Sequence, residues 1–287
     1  MSDFRKVLES NRRLCFDGGM GTMLQMRGLP AGMSPEIFCL KRPEVLRSIH
    51  EEYLMSGADV ITTNTFGGTI FKLPDTLEVE SLNREMALSA RAAIDAAREK
   101  GLTERPLFIA GSMGPTGQFL RPLGNLTFSE LTTAYRAQVR GLLQGGVDLL
   151  LAETHFDLGE LRALVVAVRE ECDLPLGASM TFEGESTLTG TSPEVFRETM
   201  LNMGVDFIAT NCSSGPEQMR EIAKRLAAGC PVPVLAQPNA GLPELENGKT
   251  VFRLGAEEFA KVSVSFAEDG VSFLGGCCGT TPAHIAA

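Results

Sequence analysis

Residues 193–212 run Pro193-Glu194-Val195-Phe196-Arg197-Glu198-Thr199-Met200-Leu201-Asn202-Met203-Gly204-Val205-Asp206-Phe207-Ile208-Ala209-Thr210-Asn211-Cys212. Ser192 is placed to cap a helix, Pro193 suits an early helical position, and Gly204 follows the last turn, so the spacing predicts a helix over 193–203. The short run Phe207–Thr210 that follows does not alternate polar and apolar, as expected of a strand covered on both faces. It ends on Asn211-Cys212, a polar residue and a thiol.

The same order recurs along the chain. Strand signals fall at Leu14–Phe16, Val60–Thr63, Leu107–Ala110, Leu149–Ala152, Leu176–Ser179, Phe207–Thr210, Val234–Ala236 and Val271–Leu274. Amphipathic stretches lie between them at Pro43–Ser56, Val79–Lys100, Ser129–Gln144, Leu158–Glu171, Pro193–Met203, Pro216–Ala228 and Ala256–Asp269, most closed by glycine. Repeated strand–helix–strand order means parallel strands joined by right-handed crossovers. Eight of them fit an α/β fold of the (β/α)8 TIM barrel type; periodicity alone leaves an open doubly wound sheet as the alternative. No linker or shift in composition divides the chain, so residues 1–287 are expected to form a single domain, with Leu73–Thr76 and Leu242–Gly248 as longer loops. After the last strand, Thr281 and Pro282 open a helix that stops within about two turns. An eighth helix must cover strands eight and one, so it reads as truncated, and the chain as a module of a longer protein.

Composition is that of an ordinary globular protein: 287 residues, 44% hydrophobic, 22% charged, net charge −10. No dense Lys/Arg run is present, which argues against a nucleic-acid surface. No apolar run approaches the roughly 20 residues of a membrane span, and the charged segment 1–13 lacks a signal-peptide pattern. A cytoplasmic protein is expected, in which seven cysteines, two of them adjacent, serve metal, catalysis or packing and not disulfides.

Barrel active sites lie at the C-terminal ends of the strands. There the sequence places Asp17-Gly18-Gly19-Met20-Gly21-Thr22, Thr63-Asn64-Thr65-Phe66-Gly67, Gly111-Ser112-Met113-Gly114-Pro115, Glu153-Thr154, Asn211-Cys212, Gln237-Pro238-Asn239 and Gly275-Gly276-Cys277-Cys278-Gly279. Strands six and eight are two apart, so Cys212 and the Cys277/Cys278 pair can converge on one ion, provided the glycines let the backbone turn between the adjacent thiols. Three thiolates with an open fourth position make a catalytic zinc site, and they suit the activation of a thiol better than of water. The bland alternative is small buried side chains, which is the reading for Cys15, Cys39, Cys172 and Cys230.

The glycines of the first loop let backbone amides approach an anion, while Asp17 and Glu153 can meet a cation. Together they suit a zwitterionic amino acid; a ligand-free turn, and a salt bridge for Glu153, remain the structural alternatives. Asp59 and Asp148 precede their strands and belong to the opposite face. A phosphate site after strand eight is disfavoured by its two cysteines and the lack of nearby Lys or Arg. His155 is near the rim but reads as a surface histidine.

Taken in barrel order, the six segments Asp17–Thr22, Thr63–Phe66, Gly111–Pro115, Glu153-Thr154, Asn211-Cys212 and Gly275–Gly279 resemble the homocysteine S-methyltransferase family over essentially the whole chain. The resemblance implies zinc held by Cys212, Cys277 and Cys278 as the catalytic centre. It implies homocysteine as the thiol, its carboxylate on the amides of Gly18, Gly19, Met20 and Thr22 and its amino group near Asp17 and Glu153. Asn239, facing the same mouth, is the expected fourth zinc ligand when substrate is absent. The family more often has Ala at the position of Gly19. Within the family the likeness is to the N-terminal homocysteine-binding module of the cobalamin-dependent methionine synthases. That implies methylcobalamin supplied by another domain or protein, with cobalamin- and folate-binding partners, and methionine as product. Alternatives are a stand-alone enzyme using S-methylmethionine or another small donor, and a non-catalytic thiol- or metal-binding module. Betaine is disfavoured: the chain has no Trp, and its two tyrosines, Tyr53 and Tyr135, fall on helices.

Overall fold

The computed structural model describes residues 3–10, 12–102, 105–246 and 249–287. Its strands are β1 (Leu14–Cys15), β2 (Val60–Thr62), β3 (Phe108–Met113), β4 (Leu149–His155), β5 (Leu176–Met180), β6 (Phe207–Asn211), β7 (Val234–Gln237), β8 (Glu244–Glu246), β9 (Lys249–Val251) and β10 (Phe273–Leu274). All but β8 and β9 form one parallel sheet in the order β1-β10-β7-β6-β5-β4-β3-β2. A bridge between Phe16 and Val60, with Asp59 N donating to Cys15 O at 2.7 Å, joins the two ends into a barrel. The (β/α)8 architecture is therefore the observed one, and the open sheet is excluded.

The helices are α1 (Asp3–Glu9), α2 (Met20–Met26), α3 (Pro35–Lys41), α4 (Pro43–Met55), α5 (Val79–Glu99), α6 (Phe128–Gln144), α7 (Leu158–Glu171), α8 (Pro193–Asn202), α9 (Pro216–Ala227), α10 (Ala256–Glu268) and α11 (Pro282–Ala286). Among the described residues none is long and apolar enough to cross a membrane. Ser192 caps α8 as expected. The start of α6 shifts to Phe128, because Thr127 and Glu130 form a reciprocal capping box that fixes it. Three short helices, α1, α2 and α3, lie where no helix was expected. The loop after β7 contains the hairpin β8–β9, its residues 247–248 lying outside the described part.

Apolar strand residues point both ways. Ile61, Ile109, Leu150 and Ile208 pack under the helices, while Phe16, Phe108, Leu149, Leu151, Phe207, Leu235 and Phe273 fill the barrel. Helix α1 closes the bottom: Phe4 is fully buried, its ring 5.1 Å from that of Phe108 and edge-on to it. Gly177 on β5 makes room for this filling, since a Cβ there would lie 2.1 Å from the ring of Phe207. Gly177→Ala is expected to cost about 1–3 kcal/mol by overpacking, read as a lower denaturant midpoint at unchanged slope.

On the same bottom face, Asp59 accepts from Cys15 N (3.0 Å) and pairs with Arg105 (3.3 Å), and Asp148 accepts from Ile109 N (2.8 Å) and pairs with Arg91 (3.2 Å). Both tie neighbouring strands together, away from the mouth. The four cysteines outside the trio are free, with Cys39 fully buried in the core beneath the helices.

Candidate active site

A cavity of about 550 Å³ opens at the C-terminal ends of the strands. Asp17, Gly18, Gly19, Met20, Thr22, Glu153, Cys212, Cys277 and Cys278 all line it. The three sulfurs lie within 4.8 Å of one another, those of Cys212 and Cys278 4.0 Å apart.

Two backbone devices bring them together. Cys212 and Ser213 take left-handed φ values of 63° and 60°, turning the chain sharply at the end of β6, and Cys212 N donates to Gln237 O at 3.1 Å. Residues 277–280 form a tight turn, with Thr280 N donating to Cys277 O at 3.1 Å and Gly279 at φ 81°. That third position of the turn needs positive φ, which glycine adopts without strain. The turn lets two adjacent thiols face one point. The neighbouring Cys277 and Cys278 thiols, foremost, favour the Cys212 thiolate and draw its pKa down, while the proximity of Cys212 pushes the pKa values of Cys277 and Cys278 up.

Asp17 is buried, and both its oxygens are engaged: Oδ2 accepts from Thr62 N (2.7 Å) and Oδ1 from Thr62 Oγ1 (2.8 Å). Burial, foremost, and the charge of Glu153 push its pKa up to about 7 despite these bonds. Glu153 lies within β4, which extends past its expected end, and accepts from Ser112 Oγ. Burial likewise raises its pKa to about 7. No cation pairs with it among the described residues, so the salt-bridge alternative fails.

The first loop is not the open nest of amides expected. It is the start of α2, capped by Gly19, whose N–H already donates to Thr280 Oγ1 at 2.9 Å. The unpaired first-turn amides are those of Met20, Gly21 and Thr22. The Thr22 hydroxyl accepts from Gly279 N (2.9 Å), bracing the cysteine turn. A Cβ on Gly19 would sit 2.7 Å from the Cys277 carbonyl, so alanine here would crowd that turn.

Asn239 is buried near Cys212, where it helps favour the thiolate, and its Oδ1 has no partner among the described residues, but it does not line the cavity. Gln237, two residues earlier, does, also with an unpaired buried oxygen. His155 is not at the surface: it is fully buried, Nε2 lying 3.2 Å from Met113 O, because β4 runs on through it.

The outer wall comes from residues not anticipated as site residues. Glu36 on α3 is buried, accepting from Gly67 N (2.6 Å) and Ser34 Oγ (2.5 Å), and so pins α3 to the loop after β2. Lys72 lies over the Phe66 ring at 5.0 Å. Of this wall only Phe66 and Gly67 belong to a segment singled out in the sequence; Ser34 caps α3 and Pro35 opens it, a local pattern that could have revealed the helix carrying Glu36. Tyr53 and Tyr135 donate to Thr280 O (3.2 Å) and Glu160 (2.8 Å) from outside the cavity, so neither contributes to an aromatic cage.

The homocysteine S-methyltransferase family model matches residues 14–287. The chain is 37% identical to methionine synthase of Mycobacterium tuberculosis over 99% of its own length and 25% of that protein's. It is 35% identical to methionine synthase of Mycobacterium leprae, covering 96% of this chain and 24% of that one. It thus spans about a quarter of the length of these relatives. In fold it resembles the metallated form of the homocysteine methyltransferase MmuM from Escherichia coli, with a TM-score of 0.83 and 24% identity over 99% of this chain and 97% of that one. The chain belongs to the homocysteine S-methyltransferase family.

Proposed function

We propose that this chain binds homocysteine and activates its thiol, on a zinc ion held by Cys212, Cys277 and Cys278, for methyl transfer that yields methionine. The observation that carries the reading is three sulfurs within 4.8 Å of one another in the cavity that also holds Asp17 and Glu153. Zn–S bonds of about 2.3 Å separate tetrahedral sulfur ligands by roughly 3.8 Å, close to the 4.0 Å between Cys212 and Cys278. Zinc so held would supply the Lewis acidity that keeps a fourth sulfur deprotonated near neutral pH. The unpaired Asn239 Oδ1 beside Cys212 supports its assignment as a ligand when substrate is absent.

The chain's own residues then orient the amino acid. Asp17 and Glu153 receive the ammonium group, whose charge offsets the burial that raises their pKa values. The start of α2 at Met20 and Thr22, with Gly18 and Gly19 fixing the approach, receives the carboxylate. The methyl donor we infer is methylcobalamin formed from methyltetrahydrofolate, carried by another domain or protein. This rests on the resemblance to the cobalamin-dependent branch and on the methionine synthase relatives, of which this chain spans a quarter. We infer one cytoplasmic module over residues 1–287, where the thiols stay reduced.

Metal analysis and turnover test the reading. The purified protein is expected to carry about one zinc per chain, and to form methionine from homocysteine and free methylcobalamin. Absence of zinc overturns it. Methionine formed from S-methylmethionine alone would reassign the chain to the stand-alone enzymes, and tight homocysteine binding without turnover by any donor would make it a binding module.

A further inference from the structure

We propose that Asn211 is a positioning residue that fixes and electronically tunes the Cys277 sulfur in the three-cysteine site. Asn211 ends β6 and is fully buried. Its Oδ1 accepts from Thr154 N (2.9 Å) and Ser179 Oγ (2.7 Å). Its Nδ2 donates to Thr154 Oγ1 (2.7 Å) and lies 3.8 Å from Cys277 Sγ. One amide therefore links β4, β5, β6 and the turn after β10.

The orientation of that amide is not arbitrary. A backbone N–H can only donate, so the Asn211 atom facing Thr154 N must be Oδ1, which leaves the two hydrogens of Nδ2 for Thr154 Oγ1 and the thiol. Thr154 holds φ 62°, an unfavourable conformation for a β-branched residue, at the irregularity where β4 slips against β5. Both polar groups of this residue, its N–H and its hydroxyl, are bonded to Asn211. An N–H donated to a thiolate withdraws electron density from sulfur and fixes its lone-pair direction, as partners of metal ligands commonly do. Cys212, by contrast, is positioned by its own backbone turn and by its N–H on Gln237 O. The two ends of the site thus have separate supports.

This inference rests on the zinc reading, and the test separates the two. Zinc affinity is measured by chelator competition, and the sulfur-to-metal charge-transfer band is recorded on the cobalt(II)-substituted protein, for wild type, Asn211→Ala, Asn211→Ser and Ser179→Ala. Both Asn211 variants are expected to loosen zinc about 10- to 100-fold and to move the band to lower energy, since the sulfur loses its donor. Ser179→Ala removes one support of the same amide but leaves the N–H on Cys277, and should stay within about twofold of wild type with the band in place. If Asn211→Ala does not fold, Asn211→Ser, which keeps a polar group able to accept from Thr154 N, decides. Asn211 variants with wild-type affinity and band, a Ser179→Ala effect as large as theirs, or failure of both Asn211 variants to fold would each overturn the inference. A wild-type protein that binds neither metal overturns the zinc reading instead.

Discussion

Cys277→Ser is expected to strip the protein of zinc and abolish methyl transfer while leaving the barrel folded. Structural zinc sites are worth about 10–16 kcal/mol, so removing one of the sulfur ligands should weaken binding by roughly three orders of magnitude. Serine is a poor substitute because its hydroxyl stays protonated where a thiol ionises. The fold should survive, because the barrel interior and the layer under the helices bury their apolar residues without help from the trio. Cys39→Ser provides the contrast: Cys39 is fully buried on α3, so the variant should lose stability yet keep its zinc. Metal content after dialysis, with thermal melting of both variants, checks this. Full metal content in Cys277→Ser would remove the central argument for the site.

How much of this was legible in the sequence depends on how local the cause is. The barrel strands were legible because each is a short apolar run preceded by a helix and, usually, a glycine. Their apolar character on both faces is the direct imprint of filling a barrel on one side and supporting helices on the other. The trio was legible only through the fold: Cys212 and Cys278 are 66 positions apart, and strand order made them neighbours. Helix α1 was missed because a short charged segment announces nothing until Phe4 meets Phe108, Phe207 and Phe273 inside the barrel. The first loop was misread as a nest because neither Gly19 nor any neighbour supplies a side-chain cap. Its shape comes from Thr280 and Gly279, more than 250 residues away, bonding to Gly19 and Thr22. The left-handed Thr154 could not be foreseen, since β-branched residues avoid that conformation unless tertiary bonds impose it.

Glu153→Gln should weaken homocysteine binding and, at the same time, stabilise the empty protein above neutral pH. The carboxylate is half-buried in the mouth with, among the described residues, only Ser112 Oγ bonded to it, and burial raises its pKa from 4.5 to about 7. A pKa raised in the native state means that the folded protein holds the proton more tightly than the unfolded chain between those values. Stability from this group is therefore full below about pH 4.5, falls as pH rises, and is lost above about 7. Glutamine never ionises, so the variant should match wild type near pH 4.5 and exceed it by about 1–3 kcal/mol at pH 8. Substrate responds in the opposite sense. Loss of a charged partner for the ammonium group should raise KM by roughly 10- to 100-fold, about 1.5–3 kcal/mol for a hydrogen bond to a charged group, with a smaller effect on kcat. Denaturation at the two pH values, together with KM at pH 8, separates the roles. A variant no more stable than wild type at pH 8 would mean that Glu153 is compensated in the empty site, and an unchanged KM would remove it from substrate recognition.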